Sequence, residues 1–384
     1  MSVQRQIPST INHQLSTITQ HLSPSFTPAE RPLALSYRRR YIKIAMKVGK
    51  LRNKDLARLL SKIELDESVI LGPAVGEDAA AVRLGDKALV LTTDPITFAT
   101  DLIGYYVVHV SANDVAAMGA DPRWFMLTLI LDTSGTQAQV RKIFAQVRQA
   151  CKNVGVALVG GHTETTTGLD RPIAVGSMIG LTDADAIVRT GGARIGDAII
   201  LAGYAAVEGT ALLALEVPEV LNRKGVPNQT VAKARDFLFD PGISAVKAAR
   251  IAVQAGKPTA MHDPTEGGIA TGLLELAIAS GTGVEAHLDK IRTLPETDEI
   301  AKAVGIDPLG LISSGSLLIT ASPEDAASIS SALENAGIAA AIIGGILPQQ
   351  KGLVMVDRSG PTALPKFEQD EIARFFENFK RSDK

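Results

Sequence analysis

Cysteine is almost absent from the 384 residues: one thiol, Cys151, can close no internal disulfide and build no multi-cysteine metal site. Nothing therefore marks an oxidising compartment, and a cytoplasmic setting is the expectation. Aromatic residues are scarce at 4%, so any core must be packed from Ala, Val, Ile and Leu. No apolar run approaches the ~18–20 residues that a bilayer-crossing helix needs, which argues against a membrane partner. A charge excess of one sign is missing overall, at a net −2, but the balance is uneven. Residues 1–54 hold ten Lys or Arg against one acid, Glu30, and beyond them 29 bases face 40 acids. An acidic body lacks the basic face that releases counterions from phosphate backbones, which argues against nucleic acid as the main partner. What is present, 34 Gly, 19 Pro and 46% hydrophobic residues, fits an enzyme with many tight turns. The length exceeds the ~250–300 residues at which one core stops growing, so two domains are expected.

The first 45 residues are rich in Ser, Thr, Gln and Pro and read as a disordered or dispensable extension, with the functional chain starting at Met46. An organelle transit peptide is the other reading of such an acid-poor leader. Apolar spacing then predicts a helix at 54–64 with Asn53 as its N-cap, strands at 79–84 and 88–93, and a helix at 104–118. A strand at 124–131 follows, then a helix at 139–153 whose apolar stripe makes Cys151 a core residue, and strands at 156–159 and 173–181. The domain boundary falls near 185–190. The second half is expected to hold strands at 198–202, 257–262, 283–288, 315–320, 339–346 and 353–357, with helices at 243–255, 267–280, 323–336 and 367–379. The resulting organisation is 46–187, 188–360, and a C-terminal helix and tail over 361–384.

Acids recur at strand ends and in glycine-bounded turns: Gly76-Glu77-Asp78, Thr93-Asp94 and Asn113-Asp114. Asp114 lies on a stretch too apolar for a solvated helix face, and a buried carboxylate is costly unless a cation or donor compensates it. Asp78, Asp94 and Asp114 would suit Mg²⁺, which takes one or two carboxylates together with phosphate oxygens and waters; a nucleotide would then be its ligand. Each acid alone could equally cap a turn or helix. Two glycine turns suit an anion: Val159-Gly160-Gly161-His162-Thr163-Glu164 after one strand, and His262-Asp263-Pro264-Thr265-Glu266-Gly267-Gly268 after another and opening a helix. No P-loop or dinucleotide fingerprint is present. His162 has no second His at helical spacing, so a zinc site is unsupported, and Ser313, Ser314 and Ser316 read as a hydrogen-bonding loop before a strand.

In this order, Gly-Glu-Asp-Ala-Ala, Thr-Thr-Asp, Asn-Asp-Val-Ala-Ala-Met-Gly-Ala, Gly-Gly-His-Thr-Glu, Asp-Pro-Thr-Glu-Gly-Gly and Ser-Ser-Gly-Ser-Leu-Leu resemble the aminoimidazole-ribonucleotide synthetase superfamily over about residues 46–357. The Met-Lys-Val-Gly-Lys-Leu start and Val-Glu-Gly-Thr-Ala-Leu-Leu-Ala look closest to the hydrogenase-maturation carbamoyl dehydratase branch and its uncharacterised relatives. The resemblance implies an α+β fold: an N-terminal α/β half whose sheets pair across a homodimer into a β-barrel, and a C-terminal α+β half. It implies ATP and Mg²⁺ near the dimer interface, with Asp78, Asp94 and Asp114 on the metal. Gly76, Glu77, Asn113, Gly160, Gly161, His162 and Thr163 would lie at the nucleotide, and Asp263, Thr265, Gly267 and Gly268 in the substrate-side cleft. The activity implied is ATP-dependent phosphorylation of an oxygen on a small-molecule or carbamoyl-type substrate, with a protein partner in maturation. Alternatives are a non-catalytic nucleotide-binding scaffold and a small-molecule kinase resembling thiamine-monophosphate kinase. Two departures stand out. The branch carries its carbamoyl group on a C-terminal cysteine, whereas this sequence closes on Phe379-Lys380-Arg381-Ser382-Asp383-Lys384, and Glu266 stands where the family has Arg.

Overall fold

The computed structural model describes residues 49–382 except Phe98, so the expectations for residues 1–45 and for a start at Met46 lie outside the described residues. The first half runs α1 (Asn53–Leu60), β1 (Val69–Leu71), β2 (Ala80–Leu84), β3 (Lys87–Ile96), α2 (Ile103–Ala117), β4 (Asp121–Leu131), α3 (Gln137–Val154), β5 (Ala157–Thr165) and β6 (Ile173–Asp183). The second runs β7 (Ala198–Ala202), α4 (Val207–Glu216), α5 (Pro218–Arg223), α6 (Asn228–Asp236), α7 (Val246–Ala255), β8 (Ala260–His262), α8 (Gly268–Ser280) and β9 (Gly283–His287). It continues with α9 (Pro295–Val304), β10 (Leu317–Ala321), α10 (Pro323–Asn335), β11 (Ala340–Leu347), β12 (Leu353–Asp357), β13 (Gly360–Ala363) and α11 (Glu371–Ser382). The fold is α+β with two sheets, ordered β1-β2-β3-β6-β4-β5 and β13-β12-β9-β11-β7-β10-β8. Among the described strands only the β4–β5 and β9–β12 pairs are parallel.

Helix α2 is buried along its whole length. It packs on β3, β4 and β6, with α3 beside it and α7 of the second half against it. Strand β6 makes room by alternation, burying every second residue. At Gly176 a Cβ would come within 2.4 Å of Ser111 Oγ, so only glycine lets the helix lie this close. Cys151 is buried in the first core as expected, and burial pushes its thiol up to about 11. In the second sheet β10 is buried at all five residues, enclosed by α7 and α10.

Several local expectations differ from the structure. The strand placed at 156–159 does not end at Gly160-Gly161: β5 runs through both glycines to Thr165, because the backbone pairs in register with β4 beyond the glycines. Asn53 lies inside α1 rather than capping it. Helices α4, α5, α6 and α9 have no counterpart in the apolar spacing; α4 is apolar on nearly every side and therefore shows no stripe.

Candidate functional site

Strand β3 and helix α2 bring the first pair of acids together. The Thr92 hydroxyl sits 3.0 Å from Asp94 Oδ2 and 2.7 Å from Asp114 Oδ2. One hydroxyl has one proton to donate, and Asp94 is half-buried while Asp114 is buried, so Asp114 is the acid that calls for a shared proton or a cation when the hydroxyl serves Asp94. Burial, and then the charges of Asp94, Asp263 and Asp78, hold the Asp114 carboxyl well above the usual range. Asp114 is 6% exposed, which answers why an acid stands in so apolar a helix.

The second half supplies the facing wall from β8 and the loop after it. His262 Nδ1 lies 2.6 Å from Asp78 Oδ1 and its Nε2 lies 3.2 Å from Glu275 Oε2 on α8. Burial opposes a charge on the imidazole, but these two carboxylates outweigh it and raise the group well above its usual value. Asp263, next in the chain, is buried with Oδ2 unpartnered. Burial and then Asp78 push its carboxyl up, while His262 and Lys50 act the other way. Lys50 donates its backbone N–H to Glu266 Oε2 at 3.2 Å and its ammonium to Thr265 Oγ1 at 3.3 Å. Asp78 also accepts from Thr190 Oγ1 at 3.4 Å.

Of the residues singled out in the sequence, Asp78, Asp94, Asp114 and Asp263 therefore act on one another electrostatically. Thr265, Gly267 and Gly268 border the same wall, Gly267 at φ +83 immediately before α8. Gly76 closes against α8, where a Cβ would meet Glu275 O at 3.0 Å. Two residues expected at the nucleotide are engaged elsewhere. Glu77 accepts from the backbone N–H groups of Thr190 and Gly191 and from Arg189, which makes it a tie between the halves. Asn113 donates to Ile243 O at 2.8 Å and accepts from Ala245 N at 2.7 Å, so both ends of its amide serve the backbone.

The segment Gly160-Gly161-His162-Thr163 is not brought to these acids within the chain. Asp94 pairs with Gly176, Gly176 with Leu127 and Leu127 with Gly161, which leaves Gly161 three strands away, roughly 14 Å at ordinary strand spacing. His162 is exposed and pairs with Glu164 at 3.2 Å.

Sequence reasoning quoted Thr92 and His262 within its motifs but gave them no role of their own, and it missed Glu275, Lys50 and a further buried acid, Glu208, in the first turn of α4. The signal used for Asp114, an acid inside an apolar helical run, applies equally to Glu208 and Glu275. The serine loop does hydrogen-bond as expected: Ser313 Oγ accepts from Ala206 N and donates to Leu311 O, and Ser316 Oγ donates to Ser313 O. Ser314 Oγ is buried without a partner.

Among the described residues no three His, Cys, Asp or Glu side chains close a metal cage by themselves. The acid pair on Thr92 and the orphaned Asp263 oxygen nevertheless fit a hard cation that draws the rest of its shell from phosphates and water. Among the described residues no helix is long and apolar enough to cross a membrane.

Residues 76–182 match the AIR synthase related protein N-terminal domain, and residues 194–357 match the AIR synthase related protein C-terminal domain. A putative hydrogenase expression/formation protein of Methanocaldococcus jannaschii is 31% identical over 286 residues, covering 73% of this chain and 82% of the relative. A carbamoyl dehydratase HypE of Cupriavidus necator is 29% identical, covering 67% of this chain and 72% of that protein. A crystal structure of the hydrogenase maturation protein HypE in complex with ATP superposes with a TM-score of 0.64 at 25% identity, over 85% of this chain and 98% of that one.

Proposed function

The chain belongs to the AIR synthase related family, and from that premise we propose that it is an ATP- and Mg²⁺-dependent enzyme phosphorylating an oxygen of a small-molecule or carbamoyl-type substrate. The observation that carries this reading is the proton shortage at Thr92, where the buried Asp114 and the half-buried Asp94 share one hydroxyl. Asp78, Asp94 and Asp114 would hold Mg²⁺, which supplies charge neutralisation to the phosphate oxygens. Residues 46–187 carry the nucleotide in this reading and 188–360 the substrate-side cleft, with 361–384 as a C-terminal helix and tail. In the transfer, the bond between the γ-phosphorus and the β,γ-bridging oxygen breaks, a bond to the acceptor oxygen forms, and ADP leaves. Such chemistry needs positioning and charge rather than a covalent nucleophile. His262, gripped by Asp78 and Glu275, fixes the wall opposite the aspartates.

The assembly in this reading is a homodimer in a cytoplasmic setting, with a protein partner in maturation. Strand β5 is exposed along all nine residues and, among the described residues, is the edge of its sheet. Trp124 and Met126 of the neighbouring β4, and Leu158 and Val159 of β5 itself, are exposed large hydrophobic residues. A second copy of this sheet would cover both and bring a partner Gly-Gly-His-Thr segment into play. Asp94→Asn tests the metal assignment: calorimetry should show Mg²⁺–ATP affinity falling at least about tenfold, roughly 1.4 kcal/mol, with the melting temperature retained. Unchanged affinity would refute it.

A further inference from the structure

At the end of the first sheet away from the aspartates, a cavity of about 610 Å³ opens between that sheet and α7 of the second half. Lys87 lines it from the start of β3, whereas Asp94 stands near the far end of the same strand, roughly 23 Å along it at ordinary rise. Small residues, Ala116, Gly119 and Ala120, leave the space where α2 ends and the chain turns into β4. Pro122, Val154, Leu181 and Val253 supply apolar wall, the last of them from α7. The charged lining consists of Lys87, Asp121, Arg123, Asp183 and Arg250.

These charges do not balance. Asp183 pairs with Lys87. Asp121 is shared: its Oδ1 lies 2.9 Å from Arg250 Nε, and its Oδ2 lies 3.9 Å from Arg123 Nη2. Among the described residues neither arginine has a second carboxylate within ion-pair distance. Each guanidinium carries five N–H donors in a planar fork, and the two oxygens of one carboxylate cannot fill both forks. Three cations against two carboxylates leave one positive charge, in a body where 40 acids outnumber 29 bases beyond residue 54. The two arginines come from opposite halves, Arg123 from β4 and Arg250 from α7, and meet at one acid.

We propose that this cavity is a second ligand site, which takes a small organic oxyanion: a carboxylate or a phosphate monoester. Arg123 and Arg250 grip its charged end beside Asp121, and Pro122, Val154, Leu181 and Val253 cover its carbon body. A guanidinium makes paired, charge-assisted hydrogen bonds to either oxyanion. The volume lies in the range that encloses small organic ligands. A bare inorganic anion would leave the apolar wall uncovered. Arg123, Arg250 and Asp121 are each about half exposed, and ion pairs of that kind contribute little to folding, so stability alone does not account for the convergence. The site stands apart from the phosphotransfer reading, because it shares no residue with the metal or nucleotide assignment.

The test is calorimetry on the full chain, with Mg²⁺ and a non-hydrolysable ATP analogue added first so that the aspartate cleft is filled. Phenyl phosphate, benzoate, neutral benzamide and inorganic phosphate are then titrated in turn. At least one of the two aromatic anions should bind about tenfold more tightly than benzamide and than inorganic phosphate, and which one does so separates a phosphate ester from a carboxylate. Arg250→Gln and Arg123→Gln should each weaken that anion about tenfold, while Arg250→Lys, which keeps the charge without the fork, should retain part of the affinity. Hydrogen exchange on the unaltered protein should show protection by the anion at 119–123 and 249–255, with 92–94 and 262–268 unchanged. That reading decides the matter even if a variant misfolds. No binding of either aromatic anion at millimolar concentration, benzamide or inorganic phosphate bound as well, affinity untouched by Arg250→Gln, or protection at 92–94 and 262–268 instead would each overturn the proposal. Failure of the ATP analogue to bind would strike the phosphotransfer reading alone; the same titrations on the free chain, judged by the same protection pattern, then decide the cavity.

Discussion

Two segments carry the same sequence signal, a glycine pair after an apolar strand with acid and histidine close by, and the structure treats them oppositely. Val159–Glu164 becomes an exposed edge of the first sheet, whereas Asp263–Gly268 becomes the buried start of α8. The second is complete within one chain, because Asp370, Lys50 and the Leu309–Leu311 backbone close around it. The first has its glycines pressed against β4, where a Cβ at Gly161 would meet Leu127 O, while its other edge stays open. A glycine pair therefore marks a place where backbone comes close; the surrounding chain decides whether that neighbour is already present.

The sharpest way to break the contrast is Gly268→Val. At φ +62 a Cβ would lie 2.5 Å from Leu309 O and 2.7 Å from Leu311 O, both backbone. Denaturant unfolding should show a loss of about 3–5 kcal/mol. Next comes Glu208→Gln, which removes a destabilising charge beside the closed segment. Between the ordinary carboxyl range and about pH 7 the folded state holds a proton that the unfolded chain has released, so stability falls as pH rises through that window. The variant should gain about 3 kcal/mol relative to the parent at pH 8 compared with pH 4, read from paired melts; an equal difference at both would mean the acid is not strained. Val159→Asp addresses the open segment: sedimentation should show dimer affinity reduced by about 1.4 kcal/mol or more, with the unfolding midpoint of the single chain unmoved. The smallest effect belongs to His162→Ala, which should change unfolding free energy by no more than about 0.5 kcal/mol, since the ring is exposed and, among the described residues, bonds only Glu164.

The strands and the long helices of the site were legible because period and punctuation agreed. Ile173–Leu181 alternates, and Gln139–Asn153 shows a stripe, as β6 and α3 bear out. Asp114 stood out as a charge in an apolar helix, and Asp78, Asp94 and Asp263 as acids at strand ends and in glycine-bounded turns; the structure makes these four act on one another electrostatically. His262 escaped as a site residue because its grip on Asp78 crosses 184 positions of chain, a separation no local window spans. Glu208 and α4 escaped together: a helix buried all round has no polar face to reveal its turn. Asp370 lies on a segment whose only cue was a terminal helix, and its bond to Gly267 is settled by docking of that segment.

Asn113 clamps the Ile243 carbonyl and the Ala245 amide while its neighbour in sequence, Asp114, faces Thr92. In a chimaera assembled from two relatives by crossover near residue 190, this latch asks only that α2 keep its asparagine, because the opposite half of it is main chain that any residues at 243 and, proline apart, at 245 supply.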